Sequence, residues 1–261
     1  MVKMLRSILL FILLFINSQY LYSAQVFPVN DTCPLSDRTP NLKASWHMDA
    51  DVDPIIDSSG NGYTGAASGN PVNGAAYFSN GEILDGTGDY FTVTDAAGLS
   101  AISPLTIMLW QKSTATTNSY CCWINKYAAG QREWVFDYRP ADGYVAFWVY
   151  DESISKVVGD YWGPDTGIRD GSWHFMVAVW DGGTSVEDTK VYKDGVLMQD
   201  LHWHGAAGFV AIENGSADIK VGRGTETATF TGTLDDVAII NRALTLNEIG
   251  AIYRQQIQRH R

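Results

Sequence analysis

The sequence predicts an all-β protein, in which two antiparallel sheets form a sandwich and one short helix follows at the C-terminal end. Asp-Gly and Asn-Gly dipeptides recur along the chain, and they supply the positive φ that tight hairpin turns require. Runs of β-branched and aromatic residues lie between these turns, with turn signals every ten residues or so, which is typical of a sandwich or barrel. Only the segment after Thr245 has helical periodicity.

The predicted strands are continuous apolar or alternating runs between turn signals. In chain order they are Leu42–Met48, Tyr90–Thr94, Leu105–Lys112, Trp123–Lys126, Trp134–Tyr138, Tyr144–Tyr150, Trp173–Trp180, Lys190–Tyr192, Ile219–Val221 and Leu234–Ile240. The third and seventh of these runs are apolar on both faces. Such strands belong in the middle of a sheet, where both faces are covered.

The C-terminal helix is predicted from its cap and its apolar stripe. Thr245 and Glu248 have the spacing of a capping box, in which each side chain satisfies an amide of the first turn. Leu246, Ile249 and Tyr253 then recur at helical spacing. We expect this stripe to pack on a sheet.

Three sequence blocks carry a family resemblance. They are Asp57–Gly65, Ser172–Gly182 and the closing strand and helix Phe230–Tyr253. Taken together and in this order, they resemble the laminin-G-like domain of the concanavalin A-like lectin/glucanase superfamily. The resemblance implies a two-sheet antiparallel jelly-roll sandwich. It implies no single function, because this fold hosts many.

The N-terminus has the layout of a secretory signal peptide. Lys3 and Arg6 precede the apolar run Ile8–Ile16, and small residues follow it. We therefore predict a signal peptide over 1–24, an extended lead-in over 25–41, the jelly-roll domain over 42–254 and a polar tail over 255–261. A protein cleaved in this way is secreted, periplasmic or on the cell surface, with no membrane insertion. If cleavage fails, the segment serves as an anchor.

The net charge indicates which classes of partner the protein can bind. The chain carries a net charge of −11, which argues against binding to nucleic acid or anionic membranes and fits neutral ligands and divalent cations.

The chain has three cysteines, Cys33, Cys121 and Cys122. Adjacent cysteines rarely bridge each other, so Cys33 is expected to pair with Cys121 or with Cys122.

The spacing of the carboxylates along the sequence indicates whether a glycoside hydrolase site is present. Glycoside hydrolysis needs two carboxyl groups about 5 to 9 Å apart. Glu133 and Asp137 share a strand face at a separation of more than about 13 Å. Asp235 and Asp236 are adjacent, so in a regular strand they point to opposite faces. These spacings favour a non-catalytic protein.

Aromatic residues outside the regular strands are the candidate ligand platforms, because sugars stack their apolar faces on aromatic rings. Trp46, Trp110, Trp173 and Trp180 lie in predicted strands and are expected in the core. Tyr161, Trp162 and Trp203 lie where loops are expected, and they are the predicted ligand-binding residues. Alternatively, they cap the edge of the sandwich.

A structural calcium ion is the predicted cofactor. The loop from Asp57 to Gly62 opens on a carboxylate, and its glycines can turn backbone carbonyls inward, which suits calcium. The family resemblance points to the closing strand for further ligands. The predicted ligands are Asp57, Asn61, Asp235 and the alternate Asp236. In the other reading Asp57 only caps a turn and Asp235 only accepts amide hydrogen bonds.

The sequence therefore predicts an exported, calcium-stabilised, lectin-like module. Its expected partner is a glycan or an extracellular or cell-surface protein. Two alternatives remain open, a polysaccharide-active enzyme of the same superfamily and a structural or adhesive envelope protein. Neither the ligand nor the oligomeric state follows from the sequence.

Overall fold

A computed structural model describes residues 40–50, 53–115, 121–139, 142–164, 166–199, 208–224 and 229–259, all within one compact unit, Pro34–Arg261. These residues form two antiparallel sheets and one α-helix, as the sequence predicts. The predicted signal peptide and most of the lead-in lie outside the described residues. No helix in the described ranges combines the length and the hydropathy that a membrane span requires.

Fifteen strands and one α-helix are defined in the described part of the chain. They are β1 (Leu42–Trp46), β2 (Gly65–Ser68), β3 (Val72–Ala75), β4 (Asn80–Asp85), β5 (Tyr90–Val93), β6 (Leu105–Lys112), β7 (Cys121–Lys126), β8 (Trp134–Arg139), β9 (Tyr144–Asp151), β10 (Lys156–Trp162), β11 (Trp173–Trp180), β12 (Thr189–Lys193), β13 (Val196–Leu197), β14 (Ile219–Val221), β15 (Thr231–Ile240) and α1 (Leu246–Arg259). Three short 3₁₀ turns, at Ala97–Leu99, Thr166–Arg169 and Val186–Asp188, connect them.

The two sheets have eight and seven strands. The eight-stranded sheet runs β13-β12-β11-β6-β15-β4-β3, and β1 also pairs with β15. The seven-stranded sheet runs β10-β9-β8-β7-β14-β5-β2. Strands β6 and β11 lie in the interior of the larger sheet, which confirms the prediction made from their two apolar faces.

The main core lies between the sheets and holds side chains from both. It contains five tryptophans that are at most 1% exposed: Trp46, Trp123, Trp134, Trp162 and Trp180. Trp46 and Trp180 are thus core residues, as predicted. Trp173 is half-buried at the start of β11 rather than fully in the core. The inward face of β9 is apolar, with Val145, Phe147 and Val149 in the core, so its alternate residues face outward.

Helix α1 covers the outer face of the eight-stranded sheet and forms a second apolar layer. The capping box is confirmed, because the Thr245 amide donates to Glu248 Oε2 (2.8 Å) and the Glu248 amide donates to Thr245 Oγ1 (3.3 Å). Trp110 lies beneath the helix, where its indole N–H donates to Gln256 Oε1 (2.7 Å) and its ring stacks near Tyr253.

Two sequence-based expectations about the helix are wrong. Leu246 is 51% exposed, and the buried stripe consists instead of Ile249, Ile252 and Gln256. The chain is also helical to Arg259, so the predicted polar tail from residue 255 is largely part of the helix. Gln256 is buried at this end of the helix, where its Oε1 accepts the hydrogen bond from the Trp110 indole.

Candidate functional site

The outer face of the seven-stranded sheet combines aromatic and charged side chains, and no α-helix covers it in the described residues. On β9 the outward residues are Tyr144, Ala146, Trp148 and Tyr150, and the three aromatic side chains are partly exposed. We call this surface the aromatic face. Its aromatic residues need an account, because the outer side of an uncovered sheet is ordinarily polar.

A carboxyl group, a small residue and a tyrosine lie side by side in the middle of the aromatic face. Across the sheet, Asp137 of β8 pairs with Ala146 of β9, which pairs with Tyr161 of β10. Residues paired in this way project to the same face about 5 Å apart. The small Ala146 side chain, which is 1% exposed, therefore lies between the carboxyl group and the tyrosine. Tyr144 and Trp148 lie two residues away along β9, one on each side of Ala146.

The Trp148 side chain packs over the edge strand β10. Its pairing partner on β10 is Gly159, and a Cβ built on Gly159 would lie 2.9 Å from the Trp148 ring. Gly159 also has φ +146° and approaches the Phe147 carbonyl closely, so a side chain is excluded there for two reasons. The glycine allows the indole to approach the sheet.

Tyr161 links the aromatic residues to a cation. Its ring contacts Trp148 edge-on, with the centroids 5.1 Å apart, and lies 6.1 Å from Tyr144. The Arg139 guanidinium lies 5.1 Å from the Tyr161 centroid, and it also pairs with Asp142 at 2.8 Å. These contacts restrict the side chains before any ligand arrives, which lowers the entropic cost of binding.

Asp137 is the unusual group of this face. Its side chain is almost fully buried, and its Oδ1 has no hydrogen-bond partner. Burial raises the pKa of Asp137 to about 7, although the nearby Arg139 charge opposes the shift. The carboxyl group can therefore donate a hydrogen bond or accept one near neutral pH. Strongly shifted carboxyl groups of this kind cluster at functional sites.

A second aromatic group extends the face along β9. Tyr150 packs edge-on against Tyr127, with the centroids 5.7 Å apart, and the Arg132 guanidinium lies 5.0 Å from the Tyr150 centroid. Arg132 in turn pairs with Glu152. Burial, followed by the negative charge of Asp137, raises the pKa of Tyr150 well above its usual range. Its hydroxyl stays protonated and can donate to a ligand.

The carboxylates around Asp137 are engaged in structural contacts. Glu133 is buried, pairs with Lys126 at 3.1 Å, and accepts amide hydrogen bonds from Ala101 and Gly215. Glu152 and Asp142 are paired with Arg132 and Arg139.

The predicted ligand residues have three different outcomes. Tyr161 lies on the aromatic face. The prediction for Trp162 is wrong, because this residue ends β10 with its side chain 1% exposed in the core. Trp203 lies outside the described residues. Asp137, Tyr144 and Trp148 were missed, although alternation along β9 between Val145, Phe147 and Val149 and the outward aromatic residues could have revealed this surface.

The loop predicted to bind calcium is closed by its own hydrogen bonds. Asp57 Oδ1 accepts from the amides of Ser45 (3.0 Å) and Ser59 (2.9 Å). Its Oδ2 accepts from Ser59 Oγ (2.8 Å) and from the Tyr63 amide (2.9 Å). The side-chain Nδ2 of Asn61 donates to the carbonyls of Leu42 and Lys43. Asp57 therefore does not fit a cation ligand here, and it organises the turn instead.

The closing strand has an irregularity at its two carboxylates. The pairing of β15 with β6 shifts between Asp235 and Ala238, and Asp236 has φ +48°. Both side chains are buried, and Asp235 Oδ1 and Asp236 Oδ2 lack hydrogen-bond partners. The other oxygen of each is engaged, since the Phe78 amide donates to Asp235 Oδ2 (2.8 Å) and His47 Nδ1 lies 2.6 Å from Asp236 Oδ1.

This bulge brings two carboxyl groups together in a buried place. Burial, and then the charge of Asp236, raises the pKa of Asp235 to about 9. The expectation that these carboxylates point to opposite faces of a regular strand does not hold, because the strand is not regular there. No group of three or more His, Cys, Asp or Glu side chains within the described ranges could hold a metal ion.

The cysteines are described only in part. Cys122 is a buried thiol whose Sγ donates to the Phe136 carbonyl (3.5 Å) and accepts from Asn125 Nδ2 (3.2 Å). The pairing of Cys122 with Cys33 stays a prediction. Cys33 and the side chain of Cys121 lie outside the described residues, so a bridge between them stays a prediction.

Two antiparallel sheets, an α-helix packed on one of them and a closing strand in its interior define a concanavalin A-like β-sandwich. A laminin-G family model described as the concanavalin A-like lectin/glucanases superfamily matches residues 85–250. The chain belongs to this family. No curated protein sequence matches the chain.

Solved structures share the fold. The receptor binding domain of botulinum neurotoxin C/D mosaic serotype has a TM-score of 0.64 at 18% identity, covering 84% of this chain and 52% of that one. The binding domain of Paraclostridial Mosquitocidal Protein 1 has a TM-score of 0.65 at 16% identity, covering 82% and 52%. The chain thus spans about half the length of these two structures.

A third structure matches over nearly its whole length. Domain 4 of AbnA, a GH43 extracellular arabinanase from Geobacillus stearothermophilus, in complex with arabinotriose, has a TM-score of 0.62 at 20% identity. The match covers 82% of this chain and 98% of that domain. At these identities the three likenesses show the fold alone.

Proposed function

We propose that this protein is a non-catalytic recognition module that binds an oligosaccharide on the aromatic face of its seven-stranded sheet. The observation that carries the proposal is the aromatic cluster around Ala146. The partly exposed side chains of Tyr144, Trp148 and Tyr161 surround this residue, and the buried Asp137, whose Oδ1 has no hydrogen-bond partner, pairs with it across the sheet.

The chemistry of this aromatic cluster suits a sugar better than an apolar ligand. An aromatic ring held on a sheet offers a flat apolar surface to the C–H face of a pyranose or furanose ring. The carboxyl group of Asp137 is buried and has an oxygen without a hydrogen-bond partner, which a sugar hydroxyl could satisfy. The binding of arabinotriose by a domain of the same fold supports the class of ligand but not its identity.

A binding titration tests the proposal. The purified protein is titrated with a panel of neutral and acidic plant and algal oligosaccharides by calorimetry. We expect one class to bind, and Trp148→Ala to weaken that binding by about 1 to 3 kcal/mol, the scale of a large aromatic contact. Trp173→Ala, which removes a half-buried tryptophan of the other sheet, is the matched control and should retain affinity.

The outcome also separates the alternatives. Release of reducing ends during the titration would support an enzyme. Binding that is lost equally in both tryptophan variants would point to a general effect on folding. Failure of every oligosaccharide would contradict the proposal and favour a protein partner, as the receptor-binding description of the neurotoxin domain allows.

We also propose a structural calcium ion, with a ligand set that differs from the sequence-based one. Asp235 and Asp236 fit a cation, because each has a buried oxygen without a hydrogen-bond partner and the two carboxyl groups lie close together. Backbone carbonyls or water would supply the other oxygens that calcium requires. The ion would neutralise the buried carboxylates and thereby stabilise the bulge of β15.

An exported location remains part of the proposal. The apolar run Ile8–Ile16 and its flanking residues support it, and the leader lies outside the described residues. N-terminal sequencing of the protein after secretion by a bacterial host should begin at Ala24 or Gln25. A mature protein that still starts at Met1 would contradict export by cleavage.

A further inference from the structure

The aromatic face carries positive charge although the protein as a whole is acidic. The net charge of the chain is −11. All four cation–π pairs between described residues nevertheless lie on this one face: Arg132 with Tyr150, Arg139 with Tyr161, and both Lys220 and Arg223 with Tyr90. The electrostatic potential at this surface therefore differs from the one that the net charge of the whole chain suggests.

The four cations are not equivalent. Arg132 and Arg139 are paired with Glu152 and Asp142, which largely cancel their charge. Lys220 and Arg223 form no ion pair with any carboxylate in the described part of the chain. They are the cations of this face that remain available to a ligand.

Lys220 and Arg223 are held close together around one tyrosine. The Lys220 ammonium lies 5.4 Å and the Arg223 guanidinium 4.6 Å from the Tyr90 ring centroid. Lys220 also donates to Thr92 Oγ1 at 3.3 Å. Tyr90, Lys220 and Thr92 all point outward, because Phe91, Val93, Ile219 and Val221 occupy the core. The hydrogen bond from Ser68, and then the two positive charges, lower the pKa of Tyr90.

Two neighbouring cations repel each other, and an anion bound between them offsets this electrostatic repulsion. A planar guanidinium beside an ammonium is a common way to hold a carboxylate or sulfate, because the guanidinium binds two oxygens at once. We propose that Tyr90, Thr92, Lys220 and Arg223 form an anion subsite, so that the oligosaccharide bound by this protein is acidic. The recognised group is a uronate carboxylate or a sulfate ester.

This inference rests on the proposed function and adds the charge class of the ligand. The subsite on β5 and β14 and the aromatic cluster around Ala146 on β9 belong to one sheet, in which four strand spacings separate β5 from β9. At about 4.8 Å per spacing, they are roughly 19 Å apart. An oligosaccharide extended across the strands would reach both, and a single sugar would not.

The test compares ligands that differ only in charge. The protein is titrated with an oligogalacturonate, a sulfated galacto-oligosaccharide and a neutral galacto-oligosaccharide of the same length, at low and at high salt. We expect an acidic ligand to bind about tenfold more tightly than the neutral one at low salt, and the preference to shrink as salt screens the subsite. Whichever acidic ligand is preferred identifies the group.

Variants assign the preference to these residues. The double variant Lys220→Gln/Arg223→Gln should bind the acidic ligand no more tightly than the neutral one. Lys190→Gln, which removes an exposed ammonium of the other sheet, should keep the full preference. Because the substituted residues are half-exposed, folding is checked by thermal melting. The salt dependence of the unmodified protein gives an answer independent of any variant.

Several results would overturn the inference. Equal binding of neutral and acidic oligosaccharides would contradict it and leave the proposed function intact. A preference that survives in the double variant would place the anion subsite elsewhere. An oligoglutamate of the same charge that binds as tightly as the acidic sugar would show general attraction of anions. If no oligosaccharide binds, the proposed function fails and this inference fails with it.

Discussion

At the scale of single residues, Asp137 distinguishes the aromatic face from an ordinary sheet surface. A buried carboxyl group is costly when it is ionised, and proteins usually compensate it with hydrogen bonds or an ion pair. Asp137 has the positive charge of Arg139 nearby, but its Oδ1 has no hydrogen-bond partner. A structural role would be served as well by an asparagine, whereas a ligand-binding role explains a carboxyl group that remains incompletely satisfied.

The raised pKa of Asp137 makes a prediction about stability. The pKa is about 7 in the folded protein against an ordinary value of 3.8. A raised folded-state pKa means that stability is full below about pH 4 and is lost as the pH rises through 7. Since one pKa unit corresponds to about 1.4 kcal/mol, the loss amounts to at most about 4 kcal/mol.

Asp137→Asn should remove this pH dependence. The free energy of unfolding of the variant, relative to the unmodified protein, should rise by about 2 to 4 kcal/mol between pH 4 and pH 8. Urea unfolding at several pH values measures it. Comparing the two proteins at each pH cancels the contributions of other titrating groups. A difference that does not change with pH would show that Asp137 is not buried in its charged form.

Trp162 shows how burial overrides local sequence. The neighbouring Gly163 and Pro164 indicate a loop, and a loop tryptophan suggests a binding platform. A buried aromatic side chain removes about 200 Å² from water, which at about 25 cal/mol per Å² is worth roughly 5 kcal/mol. That gain draws Trp162 into the core at the end of β10, while Tyr161, one residue earlier, faces outward.

At the scale of elements, sequence reasoning missed the five strands β2, β3, β4, β10 and β13, and three of them have weak β signals. Strands β2 and β3 contain alanine, glycine, serine and asparagine, and β10 has glycine at its centre. All three lie at sheet edges, where small residues are tolerated because one side makes no ladder hydrogen bonds. Because β10 was missed, the aromatic face could not be assembled from the sequence.

The bulge in β15 could not have been predicted from sequence either. An Asp-Asp pair inside an otherwise apolar strand fits a regular strand with one carboxylate on each face. The positive φ of Asp236 and the register shift instead leave both carboxylates buried and electrostatically coupled. Bulges of this kind redirect side chains and often have a specific purpose.

The calcium proposal predicts a stability change that depends on this bulge. An ion that binds only the folded protein stabilises it by about 2.7 kcal/mol at one hundred times its Kd. Removing calcium with a chelator should therefore lower the melting temperature by roughly 5 to 10 °C in a domain of this size. Asp235→Asn should abolish that difference.

Asp57→Asn separates the two possible ligand sets. If Asp57 only organises its turn, this variant should melt at a lower temperature with and without calcium but keep the full response to chelator. Loss of the response in Asp57→Asn would restore the sequence-based ligand set. A melting temperature indifferent to chelator in protein shown to be metal-free would contradict any structural calcium ion.

At the scale of the whole molecule, the fold was predictable because many residues specify it redundantly. The apolar faces of β6 and β11, the turn dipeptides and the capping box at Thr245 all point to one sandwich with one helix. The site was less predictable, because a binding surface depends on a few residues from β8, β9 and β10 that meet only when the register is known. Tyr161 alone was anticipated.

The net charge of the molecule is also a poor guide to its ligand-binding surface. A net charge of −11 favours neutral ligands or cations when it is taken as an average. The fold concentrates cations beside tyrosines on one sheet, so the ligand-facing surface differs from the average. Only the placement of Lys220 and Arg223 around Tyr90 reveals this difference.

The most direct test of the central claim is to locate a bound oligosaccharide by NMR. In isotope-labelled protein, titration with the best ligand of the panel should shift the indole N–H signal of Trp148 and the backbone amides of β8, β9 and β10. The indole signal of Trp173, on the other sheet, should stay in place. Shifts confined to Trp173, helix α1 or the turn at Asp57 would contradict the assignment of the aromatic face as the binding site.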